Sequence, residues 1–252
     1  RARYVPGLVR YLPNAKPSHE LNLSSDRTYL ITGGLGDLGL LVAQWLVEKG
    51  AKYLVLLGRS EPKPHARDRV QELQQLGVKV VVTRADVANF EQMQSAFDRI
   101  GRSMPPLQGI IHAAGAIADG TFPQQTWQKF AKVLSPKVQG AWNLHRLTQH
   151  LDLDFFVLFS SGTSLLGFAG QSNYIAANTF LDRLAWYRQS QGLSALTINW
   201  GAWSEVGMAA KHQQQVLQRL EQKGIYAFSP TQGLAVLEQL ILEQPTQVGV
   251  MA

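Results

Sequence analysis

Glycines at positions 33, 34 and 36 stand between a short apolar run, TYLIT, and an amphipathic stretch that opens at Asp37, and a fourth, Gly39, falls in its first turn. A strand that turns through glycines into a helix brings backbone N–H groups and the positive helix terminus to one point. That point suits a pyrophosphate. Farther along, Ser161 precedes Tyr174 by 13 residues, and Asn178 follows the tyrosine by one helical turn. Lys137 lies upstream, in SPKVQGAWNLH. A hydroxyl, a phenol, an amide and an ammonium are groups that can hold and protonate an oxygen carrying negative charge.

A glycine cluster alone often only makes a turn. Here it follows the first strand of a long strand–helix alternation and opens a helix, the context that a dinucleotide site requires. Thr32, Gly33, Gly34, Leu35, Gly36, Leu38 and Gly39 are its candidate residues. The second strand ends in Gly58-Arg59-Ser60. An acidic residue at that tip would accept hydrogen bonds from the ribose hydroxyls and favour NAD; a guanidinium with a hydroxyl suits a 2′-phosphate. Arg59 and Ser60 therefore favour NADPH, with a solvated loop arginine, or Glu61 as a displaced NAD-type acid, as the alternatives. Asp86 and Val87 follow the third strand and are placed to meet the adenine. Ala113, Ala114 and Gly115, in HAAG, end the fourth strand with small residues over which a flat ring can lie.

Seven apolar runs can serve as strands: 28–32, 53–57, 78–83, 109–112, 154–160, 195–199 and 247–251. Helical patterns cover 37–49, 66–76, 90–100, 124–150, 174–191, 208–223 and 230–242. The strands are apolar on both faces, as a parallel sheet covered by helices on both sides demands. The expected fold is thus α/β, a Rossmann-like doubly wound parallel sheet of about seven strands. Ser135-Pro136 punctuates the fourth helix, because proline cannot donate the helical hydrogen bond and clashes one turn back.

The 252 residues leave room for one large α/β domain or two small ones, and 45% apolar against 17% charged residues is a globular balance. Cysteine is absent, which removes disulfides, thiolate nucleophiles and Cys-ligated zinc and fits a reducing, cytoplasmic setting. No His/Asp/Glu cluster has metal-ligand spacing, so no metal is expected. No apolar run approaches the roughly 18 residues of a membrane span. The net charge is +6, but residues 1–27 hold five basic against two acidic residues, and the remainder is dispersed. Without a basic stripe or interleaved aromatics, nucleic acid is not an expected partner. Segment 1–27, with Pro6, Pro13 and Pro17, reads as a linker or the tail of a preceding domain.

Taken together, the glycine loop, HAAG, Ser161, Tyr174, Asn178 and Lys137 resemble the short-chain dehydrogenase/reductase superfamily. The resemblance is closer to the ketoreductase domains of modular polyketide synthases. It covers essentially all of residues 28–252, and it implies a catalytic domain there, with a linker and the end of a preceding structural subdomain over 1–27. The superfamily commonly has lysine four residues after the tyrosine, where this chain has Asn178. Polyketide ketoreductases carry the lysine on the preceding helix instead, and Lys137 with Asn178 fits that exchange. Asp37 likewise departs from the superfamily's TGxxxGxG pattern, whereas TGGxGxxG accommodates it.

The resemblance implies an NADPH-dependent reduction of a β-ketoacyl thioester on an acyl carrier protein, within a multidomain synthase. Tyr174 would donate a proton to the alkoxide left by hydride transfer. Lys137 would lower the phenol's pKa from its ordinary value of about 10. Ser161 would hydrogen-bond the carbonyl oxygen, and Asn178 would hold the lysine or a relay water. Ser160 competes with Ser161 for the site-facing position. His112 reads as a packed strand-end residue rather than a base. Trp200, Gly201 and Trp203 either cover the nicotinamide and acyl chain or belong to the core. In such ketoreductases, enzymes giving the D alcohol tend to carry Leu-Asp-Asp after the fourth strand; those giving the L alcohol place a tryptophan before the tyrosine. This chain has Ile117-Ala118-Asp119, Leu166 at the tryptophan position and Asn173 before the tyrosine, all nearer the D pattern, with Ala169 a departure. Two other readings compete: a free-standing dehydrogenase acting on a diffusible ketone, and a catalytically silent NADP-binding structural module.

Overall fold

The computed structural model describes residues 7–12, 20–205, 224 and 226–252. Seven strands, β1 (Thr28–Thr32), β2 (Tyr53–Gly58), β3 (Lys79–Arg84), β4 (Leu107–His112), β5 (Phe155–Ser161), β6 (Leu196–Trp200) and β7 (Gln247–Val250), form one parallel sheet. Their order is β3-β2-β1-β4-β5-β6-β7. Helices α1 (Asp37–Glu48), α2 (Pro64–Gln75), α3 (Phe90–Ser103), α4 (Trp127–Leu134), α5 (Gly140–Thr148), α6 (Thr163–Leu166), α7 (Ser172–Ser190) and α8 (Pro230–Glu243) surround it. Among the described residues no helix is long and apolar enough to cross a membrane.

Successive strand residues point to opposite faces, so the sheet divides the core in two. Tyr29, Ile31, Leu54, Leu56 and Ile198 pack against α1, α2 and α8. Leu30, Val55, Leu57, Ile110 and Phe156 pack against α3, α5 and α7. This is the doubly wound architecture the sequence implied. The chain reverses direction across the sheet between β1 and β4, leaving a crevice at their carboxyl ends.

Two glycines make that crevice possible. Gly33 has φ of 71°, and a Cβ there would stand 2.8 Å from the Ala114 backbone nitrogen. A Cβ at Gly39 would lie 2.3 Å from the Gly33 carbonyl oxygen, so only glycine lets α1 start directly on the loop.

The single helix expected over 124–150 is divided. A 3₁₀ turn spans Phe122–Gln124, α4 follows, a π-helical turn occupies Ser135–Gln139, and α5 resumes at Gly140. Pro136 has no N–H for the α ladder, and the Gly140 N–H reaches back five residues to the Ser135 carbonyl. The short α6 was not anticipated: it immediately follows β5 and is only 4 residues long. The helix expected over 208–223 lies outside the described residues.

Candidate active site

A cleft of about 560 Å³ opens beside β1 and β4. Gly33, Leu35, Gly36, Leu38, Gly39, Arg59, Ser60, Val87, Ala113, Ala114 and Gly115 line it, all expected from sequence. Gly36 caps α1 and lines the cleft with the first-turn residues Leu38 and Gly39, and a helix N-terminus there suits an anion. Three expected residues are not among its lining. The Thr32 hydroxyl lies 2.6 Å from His112 Nδ1, tying β1 to β4. Gly34 packs backward, where a Cβ would be 3.0 Å from the Leu56 Cα. Asp86 Oδ1 accepts from the Ala88 N–H at 3.0 Å, closing its own turn.

At the end of the cleft beyond β2, Arg59 and Ser60 are exposed, as a site for an external phosphate requires. Glu61 also lines the cleft, but its carboxylate stands 3.6 Å from the Arg84 guanidinium. Lys63 and His65 line the same end and were missed. The one sequence signal was Pro64 between them, which starts α2 and turns its first residues toward the cleft.

The other constellation comes together on β5, the π turn and α7. Lys137, 3% exposed, donates from Nζ to the Phe159 carbonyl at 2.8 Å. Its ammonium lies 5.6 Å from the centre of the Tyr174 ring. Burial pulls this lysine down to about 8, while Asp182 pulls the other way. Gly140 is needed at the end of this turn, since a Cβ would stand 2.7 Å from Val87 Cγ1. Asn178 donates from Nδ2 to the Tyr174 carbonyl at 2.8 Å, and its buried Oδ1 has no partner. Burial pushes the Tyr174 phenol up; the Asn178 side chain opposes this, Asp119 adds to it, and the Ser161 side chain opposes it. Ser161 Oγ is partly exposed and accepts from Thr163 Oγ1 at 3.0 Å. Ser160 Oγ instead turns into the core, donating to the Asn178 carbonyl at 3.4 Å. Ser161 is therefore the serine that faces Tyr174.

His112 is fully buried, and burial with the Lys137 charge pushes it down to about 3. A histidine so depressed stays neutral and reads as packing. The tryptophans resolve toward the core. Trp203 is buried with its ring 5.0 Å from Trp200 and 4.9 Å from Phe228. Trp200 is buried on β6, and neither ring is among the residues lining the cleft.

After β4, the loop carrying Ala118 and Asp119 is fastened to the segment before Tyr174. Gln171 donates to the Asp119 carboxylate at 2.9 Å, Asn173 to the Ala118 carbonyl at 2.8 Å, and the Gly120 N–H to the Gly170 carbonyl at 2.9 Å.

The arrangement fits a nicotinamide dinucleotide. A glycine cradle and open helix terminus face the cleft at one position, with small residues at the β4 end. A buried acceptor without a partner, Asn178 Oδ1, belongs to the residue whose amide nitrogen meets the Tyr174 carbonyl. The sequence model of the KR domain matches residues 27–205. An A-type ketoreductase from a modular polyketide synthase is 37% identical and superposes with a TM-score of 0.85, over 94% of this chain and 50% of that one. A ketoreductase domain from the bacillaene assembly line is 34% identical with a TM-score of 0.85, over 89% and 55%. Polyketide synthase GfsB of Streptomyces halstedii is 40% identical over 93% of this chain and 4% of its own length. For lovastatin diketide synthase of Aspergillus terreus the figures are 39%, 87% and 9%. The chain thus spans about half of the solved relatives and a small part of the curated ones.

Proposed function

Since this chain belongs to the KR domain family, the ketoreductases of polyketide synthases, we propose that it uses NADPH to reduce a β-ketoacyl thioester held on an acyl carrier protein. The observation that carries this reading is the convergence of Tyr174, Ser161, Lys137 and Asn178 beside a glycine-cradled cleft that ends in Arg59 and Ser60. When bound, the nicotinamide supplies the hydride. Ser161 hydrogen-bonds the ketone oxygen as negative charge develops there. The Tyr174 phenol donates its proton to that oxygen. Lys137 stabilises the phenolate that remains, and Asn178 Oδ1 accepts from the lysine or from a relay water. Mixing the protein with NADPH and a small β-ketoacyl thioester tests the reading through loss of cofactor absorbance and formation of the hydroxyacyl product.

Arg59 and Ser60 support NADPH over NADH. Arg59→Ala is expected to weaken NADPH by about 2 kcal/mol, the scale of a charge-assisted hydrogen bond to phosphate. NADH, without that phosphate, should lose far less. Equal losses in the two dissociation constants would take the 2′-phosphate away from Arg59.

Asp119, Asn173 and the lack of tryptophan at Leu166 support a D-configured alcohol. The class named for the A-type relatives is theirs, and a TM-score measures the whole fold rather than these few residues. A hundredfold preference between two substrate orientations needs about 2.7 kcal/mol, within reach of one or two side chains. Chiral chromatography of the reduced thioester should give mainly the D product; a predominantly L product contradicts the assignment. Leu8, Val9 and Leu12 are exposed and apolar, which supports reading segment 1–27 as a linker and the end of a preceding structural subdomain.

A further inference from the structure

Asp182 is the one buried carboxylate among the described residues, and Lys137 is the one buried lysine. Asp182 lies on α7, two helical turns beyond Tyr174, and is 4% exposed. No cation pairs with it directly among the described residues. Its oxygens are met by neutral donors instead. Asn199 Nδ2 is 2.9 Å from both, Thr197 Oγ1 donates to Oδ1 at 3.1 Å, and Ser164 Oγ donates to Oδ2 at 2.8 Å. These donors come from β6 and from α6.

A buried carboxylate with only neutral partners is costly, so its retention asks for a reason. The connections run toward the proposed active site. Ser164 Oγ also lies 2.8 Å from the Ser161 carbonyl, and Asn199 Nδ2 reaches Ser160 Oγ at 3.1 Å and the Ser161 carbonyl at 3.4 Å. Gln247 Nε2 donates to Asn199 Oδ1 at 3.1 Å, which fixes the amide with its nitrogen toward the carboxylate. Ser164 has one hydroxyl proton, and the carboxylate is the stronger of its two acceptors. The turn that leaves β5 at Ser161 is therefore tied to α7 and β6 through Asp182.

We infer that Asp182 is a positioning residue for the reduction: its carboxylate anchors the Ser161–Ser164 turn and supplies the buried negative charge that balances the Lys137 ammonium. The inference rests on the proposed function, since Lys137 matters only if its charge serves Tyr174. The Asp182 charge favours the charged form of the lysine against the burial that disfavours it. His112 on β4 is held neutral by burial, and Tyr174 on α7 is pushed up by burial. Asp119, in the loop after β4, acts on the phenol. The residues meeting Asp182 from β6 and α6 carry no charge.

The test compares wild type with Asp182→Asn in the pH dependence of kcat for ketone reduction, with NADPH affinity measured separately. Losing the negative charge makes the ammonium easier to deprotonate. The alkaline limb of the profile should therefore move down by about one pH unit. The turn should loosen as well, lowering kcat by about tenfold with NADPH affinity little changed. An alkaline limb at the wild-type position overturns the inference, whatever happens to kcat. Ser164→Ala keeps the charge and removes one tether; kcat should fall about threefold with an unmoved limb. Wild-type kcat in Ser164→Ala overturns the tether, and it decides against the proposal by itself if Asp182→Asn does not fold. Activity of the wild type in the same assay separates both outcomes from failure of the ketoreductase reading.

Discussion

Tyr174→Phe is expected to lower the rate of ketone reduction by about a thousandfold while leaving NADPH affinity nearly intact. The substitution removes one oxygen atom and keeps the ring that packs near Lys137 and Asn178. Tyr174 is not among the lining of the dinucleotide cleft, so the cofactor should bind as before. What disappears is the group placed to protonate the new alkoxide. Measuring kcat and the NADPH dissociation constant side by side checks this. A loss of cofactor affinity with little loss of kcat would make Tyr174 a structural residue.

Lys137→Ala is expected to cost about a hundredfold, and to change the shape of the pH profile as well as its height. The ammonium favours the phenolate, so without it the phenol holds its proton to higher pH. In the direction of alcohol oxidation, where the phenolate acts as base, activity should therefore appear only at higher pH. In reduction, the wild type should lose rate as pH rises through about 8, where the buried ammonium gives up its proton. That limb should be missing from Lys137→Ala. A pH profile of unchanged shape would remove the lysine from the proposed mechanism.

Much of this site was legible because its parts are local. Glycines 33, 36 and 39 announce themselves by spacing after a strand, and the interval from Ser161 to Tyr174 is a matter of counting. The doubly wound sheet followed from strands apolar on both faces. Where the sequence reading fell short, the answer lay in tertiary packing. Pro136 read as a break, yet the break is a π turn, and that turn delivers Lys137 into the interior. Trp203 read equally well as lid or core until Gly233 settled the matter: its missing side chain leaves room for the indole, since a Cβ would be 2.3 Å from the ring. Lys63 and His65 reach the cleft only because α2 begins there. Asp182 and Asn199 meet across a helix and a strand, with no motif to join them.

The most direct test of the account follows one hydrogen atom. NADPH carrying deuterium at the transferable position of its nicotinamide is mixed with the protein and a small β-ketoacyl thioester, and the product is examined by mass spectrometry. The expected result is a β-hydroxyacyl thioester with one deuterium on the carbinol carbon, formed in step with cofactor oxidation and lost in Tyr174→Phe. Cofactor left unconsumed, or a product without the label, would contradict the proposal that this chain is an NADPH-dependent ketoreductase working through Tyr174.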